Sequence, residues 1–260
     1  MKRHLFLLSL VPALMSAPAL AADMYVKAAP PVPPPVYNWS GFYIDGGLGQ
    51  KQDNFGWTLV NPAPATLAPN SMSESQLVGA VHAGIQLQWR FLVLGMEVGG
   101  MSGLTSNNVA LTTSTGTPTS VCSANLGQTC QMRLGTVYMA GGKLGLAWNQ
   151  LLLYGVGGFA ETTINSSFVN ANGTVFDTAS PSRDGWYAGA GLDWMVWHTS
   201  GTDVIIGAEY IHVDFGSVLA CSSADGAAGC GHTVNDRILS AKEDAVLGKL
   251  TVKFGDFIIP

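Results

Sequence analysis

Apolar and polar residues alternate with a period of two along several segments of the chain. The clearest examples are Gly79–Trp89, Gly185–Trp194 and Val246–Phe254. In the first, apolar residues at every second position enclose polar ones such as His82 and Gln86. A helix would repeat its apolar face every three to four residues, whereas a strand alternates its faces. The pattern therefore predicts strands with one apolar and one more polar face.

Eight such strands are predicted, which makes the chain all-β. They are expected over Gly41–Gln50, Ser75–Trp89, Phe91–Met101, Gln131–Trp148, Leu151–Ile164, Asp184–Trp197, Val204–Asp214 and Ala245–Phe254.

The connections between these strands alternate strictly between long and short. The short ones lie around Arg90, at Asn149-Gln150 and from His198 to Asp203. The long ones are Lys51–Glu74, Ser102–Cys130, Asn165–Arg183 and Phe215–Asp244. Transmembrane barrels have short periplasmic turns and longer external loops. The order predicts an eight-stranded antiparallel up-and-down transmembrane β-barrel with short periplasmic turns and four long extracellular loops.

Large aromatic residues fall near the strand ends assigned to the periplasm. Flat rings with one polar atom settle at membrane interfaces, so these residues are predicted to form an aromatic girdle. Its members would be Trp39, Trp89, Trp148, Trp194, Trp197 and Phe254, with Phe91 beside them.

Composition supports a membrane location. Charged residues make up only 11% of the chain, against about 25% in a typical soluble protein, and there are 32 glycines. Hydrophobic residues make up 47%, yet after the N-terminus no stretch of about 18 apolar residues is found. The apolar residues are therefore dispersed over strands, as expected where a barrel faces lipid.

The N-terminus has the features of an export signal. Lys2 and Arg3 precede an apolar run over Leu5–Leu14, and Ala19-Leu20-Ala21 fits a cleavage site. We expect a signal peptide at 1–21, a proline-rich periplasmic lead at 22–38, the barrel at 39–254 and a tail at 255–260. Without Lys2 and Arg3 the chain has 10 basic and 17 acidic residues, which is unfavourable for nucleic-acid binding.

Four segments resemble the alphaproteobacterial outer-membrane immunogenic proteins, a porin-like family of eight-stranded surface antigens. They are WSGFYIDGGLG at Trp39–Gly49, GWYAGAGLDW at Gly185–Trp194, EYIHVDFG at Glu209–Gly216 and KLTVKF at Lys249–Phe254. Asp45 stands where that family usually has glycine, and the chain continues past Phe254, where such barrels often end. The resemblance implies a surface structural or antigenic role, with haem binding or small-solute passage reported among relatives.

The cysteines form two sequence-local pairs, Cys122/Cys130 and Cys221/Cys230, in predicted external loops. In an exported protein we expect two local disulfides. A metal site is not predicted, although His232 lies near Cys230.

Three histidines are candidates for catalysis or ligand binding. His198-Thr199-Ser200 could supply a base and a nucleophile for a lipid A-modifying enzyme, but it lies in a predicted periplasmic turn. His212 and Asp214 lie near the external end without an adjacent serine. His82 points inward by alternation and is a candidate haem ligand. The leading prediction remains non-enzymatic and without a cofactor.

Charged and polar residues of inward parity occur at similar heights in seven predicted strands. We predict one paired layer blocking the lumen, made of Asp45, Gln86, Glu97, Lys143, Asp193, Glu209 and Lys249. The interior of an eight-stranded barrel is only wide enough for side chains to fill it. Such a layer would leave no continuous water path.

The sequence therefore favours a barrel of the cell outer membrane that contributes to envelope structure and to surface interaction or antigenicity. The alternative is a narrow diffusion pore for small solutes. Expected partners are outer-membrane lipid and lipopolysaccharide, the barrel-assembly machinery through the last strand, and a host or cell-surface partner through the loops. Nucleic acid is not an expected partner.

Overall fold

The computed structural model describes residues 37–60, 70–105, 110–112, 127–228, 230 and 236–255. The signal peptide and most of the proline-rich lead lie outside these ranges and stay predictions. A 3-10 helix spans Ser223–Ala228, and no helix of the described part is long and apolar enough to cross a membrane. The strands are β1 (Gly41–Leu59), β2 (Asn70–Trp89), β3 (Leu92–Gly103), β4 (Ala110–Thr112), β5 (Thr129–Leu134), β6 (Val137–Trp148), β7 (Leu151–Val169), β8 (Val175–Ala179), β9 (Ser182–His198), β10 (Thr202–Ala220) and β11 (Arg237–Phe254).

Eight of these strands form a closed ring in the order β1-β2-β3-β6-β7-β9-β10-β11. Each pairs antiparallel with the next. The ring closes where β11 pairs with β1, from Phe42 opposite Phe254 to Leu59 opposite Arg237. Closure leaves these strands without a free edge. The predicted eight-stranded up-and-down barrel is confirmed.

Tight turns join strands at one end of the barrel, which we call the turn end; the opposite end is the loop end. Arg90-Phe91 and Asn149-Gln150 each form a two-residue connection between paired strands. Arg90 and Asn149 adopt left-handed backbone with φ of 58° and 55°. Two-residue hairpins favour positive φ because such turns match the twist of the flanking strands.

The strands extend further towards the loop end than the alternation predicted. β1 continues to Leu59, β10 continues to Ala220, and β11 already begins at Arg237. Much of the predicted loops is therefore strand. The extension of β1 was missed because the alternation breaks directly after Gln50, where Lys51 is buried and Gln52 is exposed although both are polar. Apolar alternation resumes only at Phe55 and Trp57.

The single strand predicted over Gln131–Trp148 is wrong. The structure divides it into β5 and β6, with Gly135 and Thr136 between them. β6 belongs to the ring, whereas β5 pairs with the loop-end part of β7 and with β4. The short strands β4, β5 and β8 were not predicted as separate elements, and β8 also pairs with β7.

The outward faces of the ring carry a broad apolar belt bounded by aromatic residues. At the turn end, exposed rings include Trp89, Phe91, Trp148, Trp194, Trp197 and Phe254. At the other edge, a second exposed set that was not predicted comprises Tyr138, Phe159, Trp186 and Tyr210. Two aromatic borders around an apolar belt are the arrangement of a membrane-spanning barrel.

Trp39 is a correction to the predicted girdle. Its side chain is fully buried (0% exposed), because the segment before β1 turns into the barrel. Its indole N–H donates to the carbonyl oxygen of Asn149, 3.1 Å away. Trp39 therefore packs inside the turn end and does not face the membrane interface.

Candidate functional site

The lumen of the barrel contains a layer of buried polar side chains to which every strand of the ring contributes. We call it the central layer. In ring order its members are Asp45, His82, Glu97, Lys143, Tyr154, Asp193, Glu209 and Lys249, all at most 6% exposed. Tyr43 of β1 also reaches this layer, where its hydroxyl donates to Glu97 at 2.9 Å.

Lys249 lies between two carboxylates of the central layer. Its Nζ donates to Glu209 and lies 3.4 Å from Asp45. Asp45 in turn is hydrogen-bonded to Nδ1 of His82 at 2.9 Å. The three ring neighbours β10, β11 and β1, together with β2, are thus linked through one lysine and one histidine. A buried carboxylate without such partners would destabilise the folded state.

Lys143 links the opposite side of the central layer. Its Nζ is 3.8 Å from the Asp193 carboxylate and lies over the ring of Tyr154, 4.0 Å from the centroid. It also lies over the ring of Tyr43 at 4.7 Å. The Tyr154 hydroxyl donates to Glu209 at 2.8 Å, which joins the two lysine-centred groups. Cation–π contacts of this kind strengthen where water is excluded.

The structure brings six of the seven predicted lumen residues into this network. Gln86 lies outside it, because the register pairs Asp45 with His82 and places Gln86 opposite Gly41. Strands in a closed barrel are staggered, so counting residues from each strand end misplaces heights. His82 was left out of the predicted layer for that reason, and Tyr154 because it carries no charge, although alternation makes both inward.

A second polar layer, the upper layer, lies nearer the loop end. Lys51 Nζ is 2.7 Å from Glu243 and 3.1 Å from Asp53. The Gln76 amide donates to Asp53 at 3.4 Å. These groups are almost fully buried. The sequence prediction did not include this layer because Lys51, Asp53, Gln76 and Glu243 fall in or beside segments that it treated as loops.

Apolar side chains separate the two polar layers and continue above the upper one. Between the layers lie buried residues that include Val78, Ala80, Met101, Met139, Ile211 and Leu247. Above the upper layer lie Phe55, Trp57, Met72 and Leu239, and Val213 is paired in register with Glu243 of that layer. Packed apolar layers hold no hydrogen-bonding groups for water, so they interrupt a wet path through the barrel.

The residues before β1 close the turn end. Besides the bond to Asn149, the Trp39 backbone N–H donates to the side chain of Gln88, and Gln86 donates to the Trp39 carbonyl oxygen, both at 2.7 Å. Lys253 Nζ donates to the Ser40 carbonyl at 3.0 Å. The segment is thus tied to β2, to the β6–β7 turn and to β11.

A buried carboxylate, that of Asp177, connects several elements at the loop end. Asp177 on β8 accepts hydrogen bonds from Arg237 and from the Ser222 and Ser223 hydroxyls. Burial raises the pKa of Asp177, but the hydrogen bonds from Ser222 and Arg237 outweigh it and leave the pKa below its ordinary value. Arg237 also stacks over the Phe168 ring at 4.1 Å. These contacts tie β7, β8 and β11 together across the loop end.

One of the two predicted disulfides lies within the described residues. Cys221 and Cys230 are bonded to each other, next to the 3-10 helix. Cys122 lies outside the described residues, so its pairing with Cys130 stays a prediction, as does any role of His232.

Replacing both Cys221 and Cys230 by serine should leave the barrel folded. The ring closes through backbone pairing of β1 with β11, which the disulfide does not touch. The free energy of unfolding should fall by no more than roughly 2–3 kcal/mol, which is the contribution of loop ordering expected in the chain-entropy view. The electrophoretic shift between unheated and heated samples measures closure. Loss of that shift in the double variant would show that the disulfide holds the ring.

The histidines considered for catalysis or haem binding have other contacts. His82 uses Nδ1 to bond Asp45 inside the lumen and is only 3% exposed. His198 Nδ1 pairs with Asp203 at the turn end, 2.6 Å away, and the Thr199 hydroxyl donates to a backbone carbonyl. His212 pairs with Asp244 on the outside of the barrel. Each of these three histidines is thus paired with an aspartate.

Comparison with known proteins agrees with this architecture. Residues 7–238 match the outer membrane protein beta-barrel domain family. No curated protein matches the sequence.

Among solved structures, Neisserial surface protein A is similar at 11% identity and TM-score 0.33, covering 83% of this chain and 98% of that one. The outer membrane protein OprG from Pseudomonas aeruginosa gives 9% identity and TM-score 0.44, covering 85% and 99%. The outer membrane protease OmpT from Escherichia coli is similar at 10% identity and TM-score 0.41, covering 85% of this chain and 99% of that one.

Proposed function

Because this chain belongs to the outer membrane protein beta-barrel domain family and is a protein of the outer membrane, we propose that it is a closed, non-enzymatic structural barrel. In this proposal its turn end faces the periplasm, and its loop end holds a rigid surface outside the cell. The filled lumen is the observation that carries the proposal. Two buried charged layers, with apolar layers beside them, occupy the space that a pore would need.

A solute crossing the barrel would have to part the buried ion pairs of the central layer. Lys249 holds Glu209 and Asp45 together, and Lys143 is held by Asp193 and two tyrosine rings. Separating buried partners costs several kcal/mol for each charge. The Trp39 segment adds a second barrier at the periplasmic end. These contacts favour the structural role over the alternative of a narrow pore.

The proposal extends to a surface antigen related to the alphaproteobacterial immunogenic proteins. The segments that resemble that family lie on β1, β9, β10 and β11, where they supply Asp45, Asp193, Glu209 and Lys249 of the central layer. The strand extensions beyond the apolar belt then present a rigid platform for the loops. A host or cell-surface partner would meet the protein there, and the last strand would be read by the assembly machinery.

Liposome swelling tests the absence of solute passage. Proteoliposomes containing the barrel should swell in isotonic arabinose or glycine no faster than empty liposomes. A liposome preparation with an open trimeric porin is the positive control. Swelling that falls with increasing solute size, as a narrow pore would give, would contradict the structural proposal and support the alternative.

A further inference from the structure

A polar surface, which we call the polar wall, lies on the outside of the barrel directly above the apolar belt. It is formed by the long strands β2, β1, β11 and β10, whose outward residues lie side by side in register. One row is Ser75, Gln52, Asp244 and His212; the next is Ser73, Asn54, Lys242 and Asp214. On the opposite side of the ring, β3 ends at Gly103 and β6 begins at Val137, and the sheet there continues instead through β5, the loop-end part of β7 and β8.

Asp244 is the centre of a hydrogen-bonded cluster on this wall. It accepts a hydrogen bond from the Tyr210 hydroxyl at 2.6 Å and pairs with His212 Nδ1 at 2.7 Å. Partial burial raises the pKa of Asp244, but the bonds from Tyr210 and His212 outweigh it and leave the pKa lowered. The ring of Trp186 lies 5.5 Å from that of His212. Beside them, Lys242 pairs with Asp214 at 2.8 Å and remains more than half exposed.

A cleft of about 340 Å³ is lined by Tyr210 and Asp244 of this cluster and by residues of β1. Its lining includes Gln50, Gln52, Ser75, Tyr210, Asp244 and Val246. Val246 belongs to the apolar belt, whereas Asp244 is the next outward residue on the same strand. The cleft therefore crosses the border between acyl chains and head groups in the outer leaflet.

We propose that this cleft binds the phosphorylated glucosamine head group of lipid A, with the acyl chains lying along the apolar belt below it. Carboxylate and amide groups match the hydroxyl and amide groups of an aminosugar, and the ring of Tyr210 in the cleft offers a flat surface for a pyranose. Lys242 lies one outward position above Asp244 and is more than half exposed, and in this proposal a phosphate takes the place of Asp214 beside its ammonium. The proposal depends on the outer-membrane location and not on the closed lumen.

The chemistry of the cleft favours lipid A over a phospholipid. A phosphoethanolamine head group carries one phosphate and one ammonium but no ring and no array of hydroxyls. It would leave the amides of Gln50 and Gln52 and the aromatic surface of Tyr210 without matching groups. Polar groups left unmatched on binding lower affinity.

The test uses the full mature protein in dodecyl maltoside, titrated with hexa-acylated lipid A and followed by native mass spectrometry. The double variant Tyr210→Ala, Asp244→Asn should bind lipid A at least about tenfold more weakly than the wild type. The matched control, Tyr138→Ala with Glu161→Gln, changes an exposed aromatic and an exposed acid of the opposite side and should bind like the wild type. The heat-dependent gel shift establishes that each variant is folded.

Two results would overturn the proposal. One is equal loss, or no loss, of affinity in the two double variants. The other is displacement of lipid A by phosphatidylethanolamine at equal concentration. Recovered lipid A should have unchanged mass, since binding without turnover is expected; cleavage would instead contradict the non-enzymatic function. A conducting barrel that still binds lipid A through the cleft would refute the closed lumen and leave this site standing.

Discussion

Replacing Lys249 by alanine is expected to lower the free energy of unfolding of the barrel by about 3–5 kcal/mol. Lys249 is the shared partner of Glu209 and Asp45, and all three side chains are buried in the lumen. Without it, two carboxylates remain in a space too narrow to hydrate them fully. Urea unfolding in detergent micelles, followed by tryptophan fluorescence, would measure the change.

Lys242→Ala is the matched control on the same strand. Its ammonium pairs with Asp214 on the outside and is largely exposed, so its loss should cost only about 0–1 kcal/mol. A second variant, Lys249→Met with Glu209→Gln, removes both charges of the Lys249–Glu209 pair. It should recover part of the stability lost in Lys249→Ala. Equal, small costs for Lys249→Ala and Lys242→Ala would mean that the central layer is hydrated and contributes little.

Replacing Leu192 by arginine is expected to destabilise the barrel by about 2–4 kcal/mol. Leu192 is exposed on the outside of β9, between the aromatic borders marked by Trp194 and Trp186. At that depth a guanidinium faces hydrocarbon. Reversible unfolding from lipid vesicles at several urea concentrations would measure the loss.

Gln52→Arg is the control for the lipid face. Gln52 also points outward, but it lies beyond the apolar belt, where arginine should cost only about 0–1 kcal/mol. Gln86, an inward residue, is not a suitable control, because its amide donates to the Trp39 carbonyl oxygen. Similar costs at Leu192 and Gln52 would show that the belt does not contact lipid.

The direction of each side chain was predictable wherever one face of a strand is apolar. On β9, Leu192 and Trp194 are outward while Asp193 between them is buried, as alternation requires. The same rule fails beyond the membrane. Lys51 and Gln52 are both polar although one is buried and the other exposed, so neither strand nor orientation can be inferred from hydropathy there.

The heights of the lumen residues and the contacts at the ends of the barrel could be predicted less well from the sequence. Asp45 lies beside His82 and not Gln86 because of the stagger between β1 and β2, which depends on closure of the whole ring. Trp39 was placed at the interface because its type and position fit a girdle. Its burial results from a turn of the chain into the barrel and from partners distant in sequence, such as Asn149. Such contacts leave no local pattern.

Single-channel recording in planar lipid bilayers tests the closed lumen most directly. The wild type should insert, as judged by recovery of heat-shifted protein from the bilayer lipid, and should give no steady conductance above the bare membrane. The variant Trp39→Ala with Lys249→Ala removes the Trp39 side chain and loosens the central layer but keeps the upper layer and the apolar layers, so it should also give no steady conductance. A large, stable conductance in the wild type would contradict the filled lumen and the structural role together.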